Sequence, residues 1–340
     1  MKKLLFICLS LSFIFCSNSD SLTEYYNASD IITGEIAIEY SKTITPEDLK
    51  THLYIIASDE FEGRDTGEPG QKLAAEYLKD FYKSQNIASP LGGDDYFQDI
   101  STEHLRPNLK PSENVVAFIE GSEKPDEIIV ISAHFDHVGQ TGEEIFNGAD
   151  DDGSGTVAIM KIAQAFQNAA KNGNGPKRSI LFLHVTGEEK GLLGSAYYVK
   201  YPIFPLKNTV ANLNIDMIGR VDDAHTNNPD FVYLIGSDKL STELHEISEA
   251  INTKFTNLTL DYTYNADNDP NRFYYRSDHY NFAKNNIPII FYFNGTHEDY
   301  HRPSDTPDKI NYEVLAKRTQ LVFFTAWELA NRNERIVVDK

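Results

Sequence analysis

A single α/β domain, with a mixed and largely parallel central sheet and helices on both faces, is the fold this sequence predicts. Three observations carry the prediction. Near-continuous apolar runs of strand length recur at 114–119, 127–134, 179–185, 210–216, 231–235 and 287–293. Runs without polar alternation suit strands buried on both faces, as in parallel sheets roofed by helices. Stretches with helical apolar spacing lie between them, and that alternation points to crossover connections. Past residue 45 no repeat, low-complexity block or long linker breaks the pattern.

Composition agrees with one large, well-cored domain. The chain has 340 residues, 41% of them hydrophobic and 12% aromatic, which is too rich for a disordered polypeptide. With 31 Lys and Arg against 51 Asp and Glu, the net charge is −20. That balance excludes the basic footprint nucleic-acid binding needs, and a polybasic membrane patch as well. No nucleic-acid partner is expected.

Taken in order, the chain opens on Met1-Lys2-Lys3 and an apolar run over 4–15 that ends at Cys16. Such a run is too short to span a bilayer but suits the core of a signal peptide. A cysteine there, followed by Ser17-Asn18-Ser19, resembles a bacterial lipoprotein signal. Residues 1–15 are therefore expected to be removed and Cys16 to carry lipid, with ordinary cleavage slightly downstream as the alternative. Export is expected either way: to the periplasm or cell envelope with the anchor, which is then the only membrane contact, and otherwise as a secreted protein. Both cysteines, Cys8 and Cys16, lie in this region, so the body has no disulfide. Residues 16–44 read as a polar tether and 45–335 as the domain. Thr45-Pro46-Glu47-Asp48 marks a helix start, with proline at the first helical position. The span 63–70 is turn-rich, and helical spacing resumes from Gln71. Val157, Ile159, Ile162, Ala163 and Phe166 give 154–168 a buried helical face, and 314–330 is the closing helix.

In open α/β sheets ligands bind beyond the carboxyl ends of the strands. The run at 127–134 leads into His134-Phe135-Asp136, and the segment from Asn147 to Gly155, with Asp150-Asp151-Asp152, opens the next helix. The run at 179–185 leads into Gly187-Glu188-Glu189, the run from 210 ends at Asp216, and Tyr300-His301 follows the last run. Taken singly, each has an ordinary explanation: a satisfied histidine, a helix cap, a solvated acidic pair. Asp216 is harder to dismiss, because an unpaired carboxylate ending an apolar strand is costly to bury. Their coincidence at successive strand ends favours a site. Histidine and carboxylate donors without cysteine suit zinc or a similar cation. The sequence holds no Gly-x-Ser-x-Gly elbow, phosphate loop, dinucleotide fingerprint or His-Glu-x-x-His, and the aspartate run does not fit a calcium loop.

His-x-Asp, then Asp-Asp-Gly-Ser-Gly, Gly-Glu-Glu-x-Gly-Leu-x-Gly-Ser, Asp-Met-Ile-Gly and Tyr-His before Asp-Thr stand in one order between residues 45 and 331. In this the chain resembles the two-zinc (co-catalytic) aminopeptidases, whose relatives include glutamate carboxypeptidase and glutaminyl cyclase. The resemblance implies the zinc exopeptidase fold, two Zn2+ per chain and peptide substrates cut at the N-terminal bond. It places one metal on His134 and Asp216 and the other on Glu189 and His301. Asp151 would bridge them, followed by a cis peptide. Glu188 would be the general base, Asp136 the carboxylate orienting His134, and Tyr300 a donor to the substrate carbonyl.

His137 and His184 fall outside that ligand pattern and read as packing or surface residues. Arg64 is expected to organise the site without being catalytic, and Ser277-Asp278-His279-Tyr280 reads as substrate rim or plain surface loop. His297 and Asp299, close to His301, read at most as supporting residues. A carboxypeptidase or glutaminyl cyclase is the alternative within the same fold, and an inactive peptidase-like binding domain the alternative from another class. Side-chain preference, native metal and oligomeric state are not legible.

Overall fold

In the computed structural model, which describes residues 30–340, the apolar runs become strands of one eight-stranded sheet. The expected signal peptide and Cys16 lie outside the described residues. In chain order the strands are β1 (Phe97–Ile100), β2 (Ser112–Ile119), β3 (Lys124–His134), β4 (Gly139–Thr141), β5 (Glu144–Phe146), β6 (Arg178–Val185), β7 (Thr209–Ile215), β8 (Phe231–Ile235), β9 (Thr259–Asp261) and β10 (Ile289–Phe293). β4 and β5 form a separate small hairpin, and the sheet runs β1-β2-β6-β3-β7-β10-β8-β9. The central four, β6, β3, β7 and β10, are mutually parallel. Their carboxyl ends therefore emerge along one edge. β2 and β8 flank them antiparallel, so the sheet is mixed, as expected.

Among the described residues eight helices cover it: α1 (Glu35–Ser41), α2 (Pro46–Ile56), α3 (Pro69–Gln85), α4 (Gly155–Lys171), α5 (Leu193–Lys200), α6 (Thr242–Ile251), α7 (His279–Ala283) and α8 (Tyr312–Asn331). Alternation along the strands sorts the core into two layers. Ile129, Ile131, Ile180 and Phe182 face Leu53 of α2, Phe166 of α4 and Phe323 of α8. Ile128, Val130, Leu181 and Leu183 face Tyr198 of α5 and Phe282 of α7. The predicted start of α2 holds: Pro46 occupies its first turn, and the Thr45 hydroxyl accepts the Asp48 N–H at 3.2 Å.

One boundary is corrected. The expected tether over 16–44 has about its second half built into the globule. Ile31, Ala37, Tyr40 and Ile44 are buried. Tyr40 stacks on Trp327 of α8 at 5.9 Å. Thr33 donates its N–H (2.9 Å) and hydroxyl (2.7 Å) to the buried Glu328 carboxylate. Ala37, Tyr40 and Ile44 keep a helical spacing, but the exposed Ile36 and Ile38 beside them blur it, so only the docking reveals the helix.

On the opposite flank α3 is fastened to β6 by the Tyr82 hydroxyl, 2.6 Å from Nε2 of the fully buried His184. Burial pushes that imidazole down to about 3, so the folded ring stays neutral where an unfolded one protonates. Its contribution to stability is intact above the unfolded value, near 6.5, and is lost as pH falls from there towards 3. In urea titrations the stability lost between pH 7 and pH 5 should be smaller in His184→Gln than in the parent. The difference expected is up to about 2 kcal/mol, at about 1.4 kcal/mol per pH unit; equal losses would refute the assignment.

Candidate metal centre

Parallel β3, β6, β7 and β10 deliver four chain segments to one edge, and the predicted residues meet there. His134 is the last residue of β3, Asp216 follows β7, Glu188 and Glu189 follow β6, and His301 lies on the loop after β10. Asp151 comes from the loop between β5 and α4. Among the described residues, two groups of ligating side chains converge: His134, Asp151, Asp216 and His137, Asp151, Glu189.

In the first, His134 Nε2 lies 3.3 Å from Asp151 Oδ1 and 3.6 Å from Asp216 Oδ1. In the second, His301 Nε2 lies 3.0 Å from both Asp151 Oδ2 and Glu189 Oε1. His137 Nδ1 approaches the same two oxygens, at 3.7 and 3.0 Å. Donors about 2.0–2.1 Å from a tetrahedral zinc stand about 3.3 Å apart, so these spacings suit an ion at the centre of each group. His134 Nε2, His137 Nδ1, Asp151 Oδ2 and Glu189 Oε1 are buried without a hydrogen-bond partner among the described residues. Buried polar atoms left unpaired are costly, and a cation in each group would satisfy those that face it. The electrostatics agree. Burial opposes charge on His301, yet Asp151 and Glu189 outweigh it and raise the ring to about 10. The site thus draws positive charge.

The surroundings hold these donors in place. Asp305 accepts the N–H groups of Asp150 and Asp151, at 3.0 and 3.2 Å. The peptide between Asp151 and Asp152 is cis. The aspartate run divides its work: Asp152 Oδ1 accepts from the N–H of Gly155 and of Met217 (2.9 and 3.0 Å). Asp150 accepts from the Gly219 N–H at 2.6 Å and the Asn294 amide at 3.0 Å, with His297 Nε2 at 3.2 Å. Asp216 Oδ2 accepts the Ser277 hydroxyl at 2.6 Å, leaving Oδ1 for the centre.

Asp136 departs from expectation. His134 Nδ1 is 3.0 Å from the Asp136 backbone carbonyl, whereas the carboxylate stands 3.8 Å off. The carboxylate instead accepts the Thr66 hydroxyl (2.9 Å) and the Glu188 N–H (3.2 Å). A main-chain oxygen thus orients His134, and the Asp136 side chain steadies the turn that carries Glu188.

Glu188 itself stays outside both groups, its Oε2 4.0 Å from His134 Nε2. Burial pushes its carboxyl well above the ordinary range, with Asp216, Asp278 and Glu189 adding to the effect and His134 opposing it. It borders a cleft whose other wall is Met217, Phe273, Phe291, Phe293 and Tyr300. The Tyr300 ring stacks on His301 with centroids 4.0 Å apart.

Sequence reasoning missed two residues here. His137, read as a packing or surface residue, is turned into the second group; it stands just past the His-x-Asp motif and outside the family's ligand pattern, which hid it. Ser277, in a segment that reads as substrate rim or plain surface loop, has nothing local that points to Asp216.

Comparison with known proteins places this geometry in a wider set. The pattern defining peptidase family M28 matches residues 114–326. A "Probable aminopeptidase" of Saccharomyces cerevisiae is 27% identical over 295 residues, 81% of this chain and 76% of that one. The LapA aminopeptidase of Legionella pneumophila superposes with a TM-score of 0.70 at 24% identity, over 91% of this chain and 77% of that one. A zinc aminopeptidase of Bacillus subtilis superposes with a TM-score of 0.65 at 15% identity, over 85% and 96%. The two structures share the fold described above.

The loops that carry the centre are tied together by the fully buried Arg64. Its guanidinium donates to the carbonyls of Phe135 (2.8 Å), Ile56 (2.9 Å), Asn147 (2.7 Å) and Gly148 (2.8 Å). Arg64→Met keeps much of the bulk and strands those acceptors. At roughly 1–3 kcal/mol for each buried group left unpaired, unfolding stability should fall by at least about 3 kcal/mol. Chemical denaturation checks this, and a loss under about 1 kcal/mol would show that the carbonyls find other partners.

Proposed function

The chain belongs to peptidase family M28, and on that premise we propose that it is an aminopeptidase working with two zinc ions per chain. One observation carries the proposal: Asp151 turns one oxygen to each of two donor groups. His134 and Asp216 would hold one ion, Glu189 and His301 the other, with Asp151 shared. When bound, such a pair polarises a peptide carbonyl and brings the pKa of a water molecule towards about 7.

The remaining steps fall to side chains. Glu188, close to both groups and a donor in neither, would accept the proton of the attacking water and return it to the leaving amine. A carboxyl lifted by burial is suited to both halves of that transfer, and the Asp136 hold on its backbone N–H keeps it aimed. The Tyr300 phenol would donate to the carbonyl oxygen as negative charge develops there. Met217, Phe273, Phe291 and Phe293 would receive an apolar side chain of the N-terminal residue.

Elemental analysis of the purified protein should give close to two zinc ions per chain. Hydrolysis of aminoacyl-arylamides by the same sample should vanish with chelator and return with zinc. Glu188→Gln should keep the zinc and lower kcat by at least about 100-fold. One zinc with cyclisation of N-terminal glutamine would favour a glutaminyl cyclase, release of C-terminal residues a carboxypeptidase. No metal and no turnover after zinc addition would leave a binding domain.

The opening of the sequence supports a second element of the proposal: export with lipid on Cys16. Metabolic labelling with a fatty-acid analogue should mark the parent chain and not Cys16→Ser. An unlabelled, soluble parent would favour ordinary signal cleavage.

A further inference from the structure

His137 lies one residue past the His-x-Asp motif, fully buried, between the two carboxylates of the second donor group. Both its ring nitrogens lack a hydrogen-bond partner among the described residues, as do the two oxygens that face Nδ1. A buried imidazole turned on two carboxylates without hydrogen-bond geometry to either is placed as a donor to something between them. We infer that His137 is a direct ligand of the second ion, through Nδ1, giving that half of the centre four protein donors against three in the other. The inference rests on the two-ion reading above.

Three features support it. The distances of 3.0 and 3.7 Å from Nδ1 to Glu189 Oε1 and Asp151 Oδ2 bracket the spacing of about 3.3 Å between tetrahedral zinc donors. The ring is rigidly seated. Its backbone N–H donates to the Arg64 carbonyl at 3.1 Å, and a Cβ on Gly148 would lie 2.5 Å from its Cγ, so the loop before Asp151 is shaped around the imidazole. Gly148 also has φ +55, a conformation that favours glycine for a second reason. His301 is the contrasting case: its side chain is 37% exposed, on a loop, and it reaches the same two oxygens from the solvent side.

Two imidazoles and two carboxylates fill a tetrahedral shell, whereas His134, Asp151 and Asp216 leave one position open. Closed shells suit tightly held ions and open ones suit reacting groups. The centre would then be asymmetric, with the buried His137 making the second ion the more firmly bound and the His134 side the half open to water and substrate.

The test is metal binding to the full protein, read without activity. Apo protein titrated with zinc by calorimetry should show two binding steps. In His137→Ala the tighter step should weaken by at least about 100-fold. Dialysis against a weak chelator should leave about one ion on the parent, in the four-donor group, and clearly less on His137→Ala, whose two groups then hold three donors each. The zinc-induced rise in Tm should shrink while the apo Tm stays near that of the parent. His137→Gln, which preserves bulk, guards against a packing defect. X-ray absorption on the unmutated protein needs no variant: three imidazole nitrogens per two zinc ions are expected, against two without His137. Two ions held with parental affinity in both variants, or an imidazole count of two, would overturn the inference and leave the two-ion reading standing. A parent chain that binds fewer than two ions would remove the reading beneath it.

Discussion

Four carboxylates, those of Asp151, Glu188, Glu189 and Asp216, are gathered around three imidazoles at one edge of the sheet, and the cost of burying that charge governs the rest of the site. The fully buried guanidinium of Arg64 is spent on backbone carbonyls and, among the described residues, forms no ion pair with them. Neutral partners take up part of the demand: Ser277 on Asp216, and Thr66 with the Glu188 N–H on the adjacent Asp136. What they leave over is concentrated on the orphaned atoms that face one another across Asp151. A cation placed there would offset such a knot of acids, and the surrounding loops are built to keep the knot from relaxing.

Those loops explain why the scaffold is so heavily cross-braced near the cleft. The turn holding Glu188 hangs from Asp136, the Asp151 loop from Asp305, and the segment after β7 from Asp150 and Asp152. Each brace joins elements far apart in sequence, so the site is a property of the assembled sheet and not of any single motif. The aromatic wall opposite has the same character. Phe273 comes from a short helical turn before α7, while Phe291 and Phe293 come from β10, and their rings meet only when both are in place, with Phe273 and Phe293 centroids 4.9 Å apart.

Much of this was legible in the sequence, for a physical reason. Strands buried on both faces read as unbroken apolar runs, so β2, β3, β6, β7, β8 and β10 stood out, and with them the strand ends where chemistry concentrates. Their polar residues then followed from position alone. Elements with weak or short signatures did not stand out. β1 is four residues long, β4 and β5 are three each, and α1 offers only scattered apolar contacts. The interactions that escaped notice were those whose partners only the tertiary structure brings together. Ser277 lies 61 residues from Asp216, His137 points at Glu189 only after β3 and β6 align, and the carbonyl that steadies His134 belongs to the residue whose carboxylate was expected to do it.

The direction of the sheet separates attachment from chemistry. Arg178 begins β6 and donates to the carbonyls of Leu329 and Arg332 at the end of α8, whereas the far end of the same strand leads to Glu188. Eight residues at about 3.3 Å each put some 23 Å between the two ends. Thr33 and Tyr40 dock on Glu328 and Trp327, on the Arg178 side. The first described residues therefore lie at the pole opposite the cleft. Anything fixed to that pole would leave the aromatic mouth facing away from it.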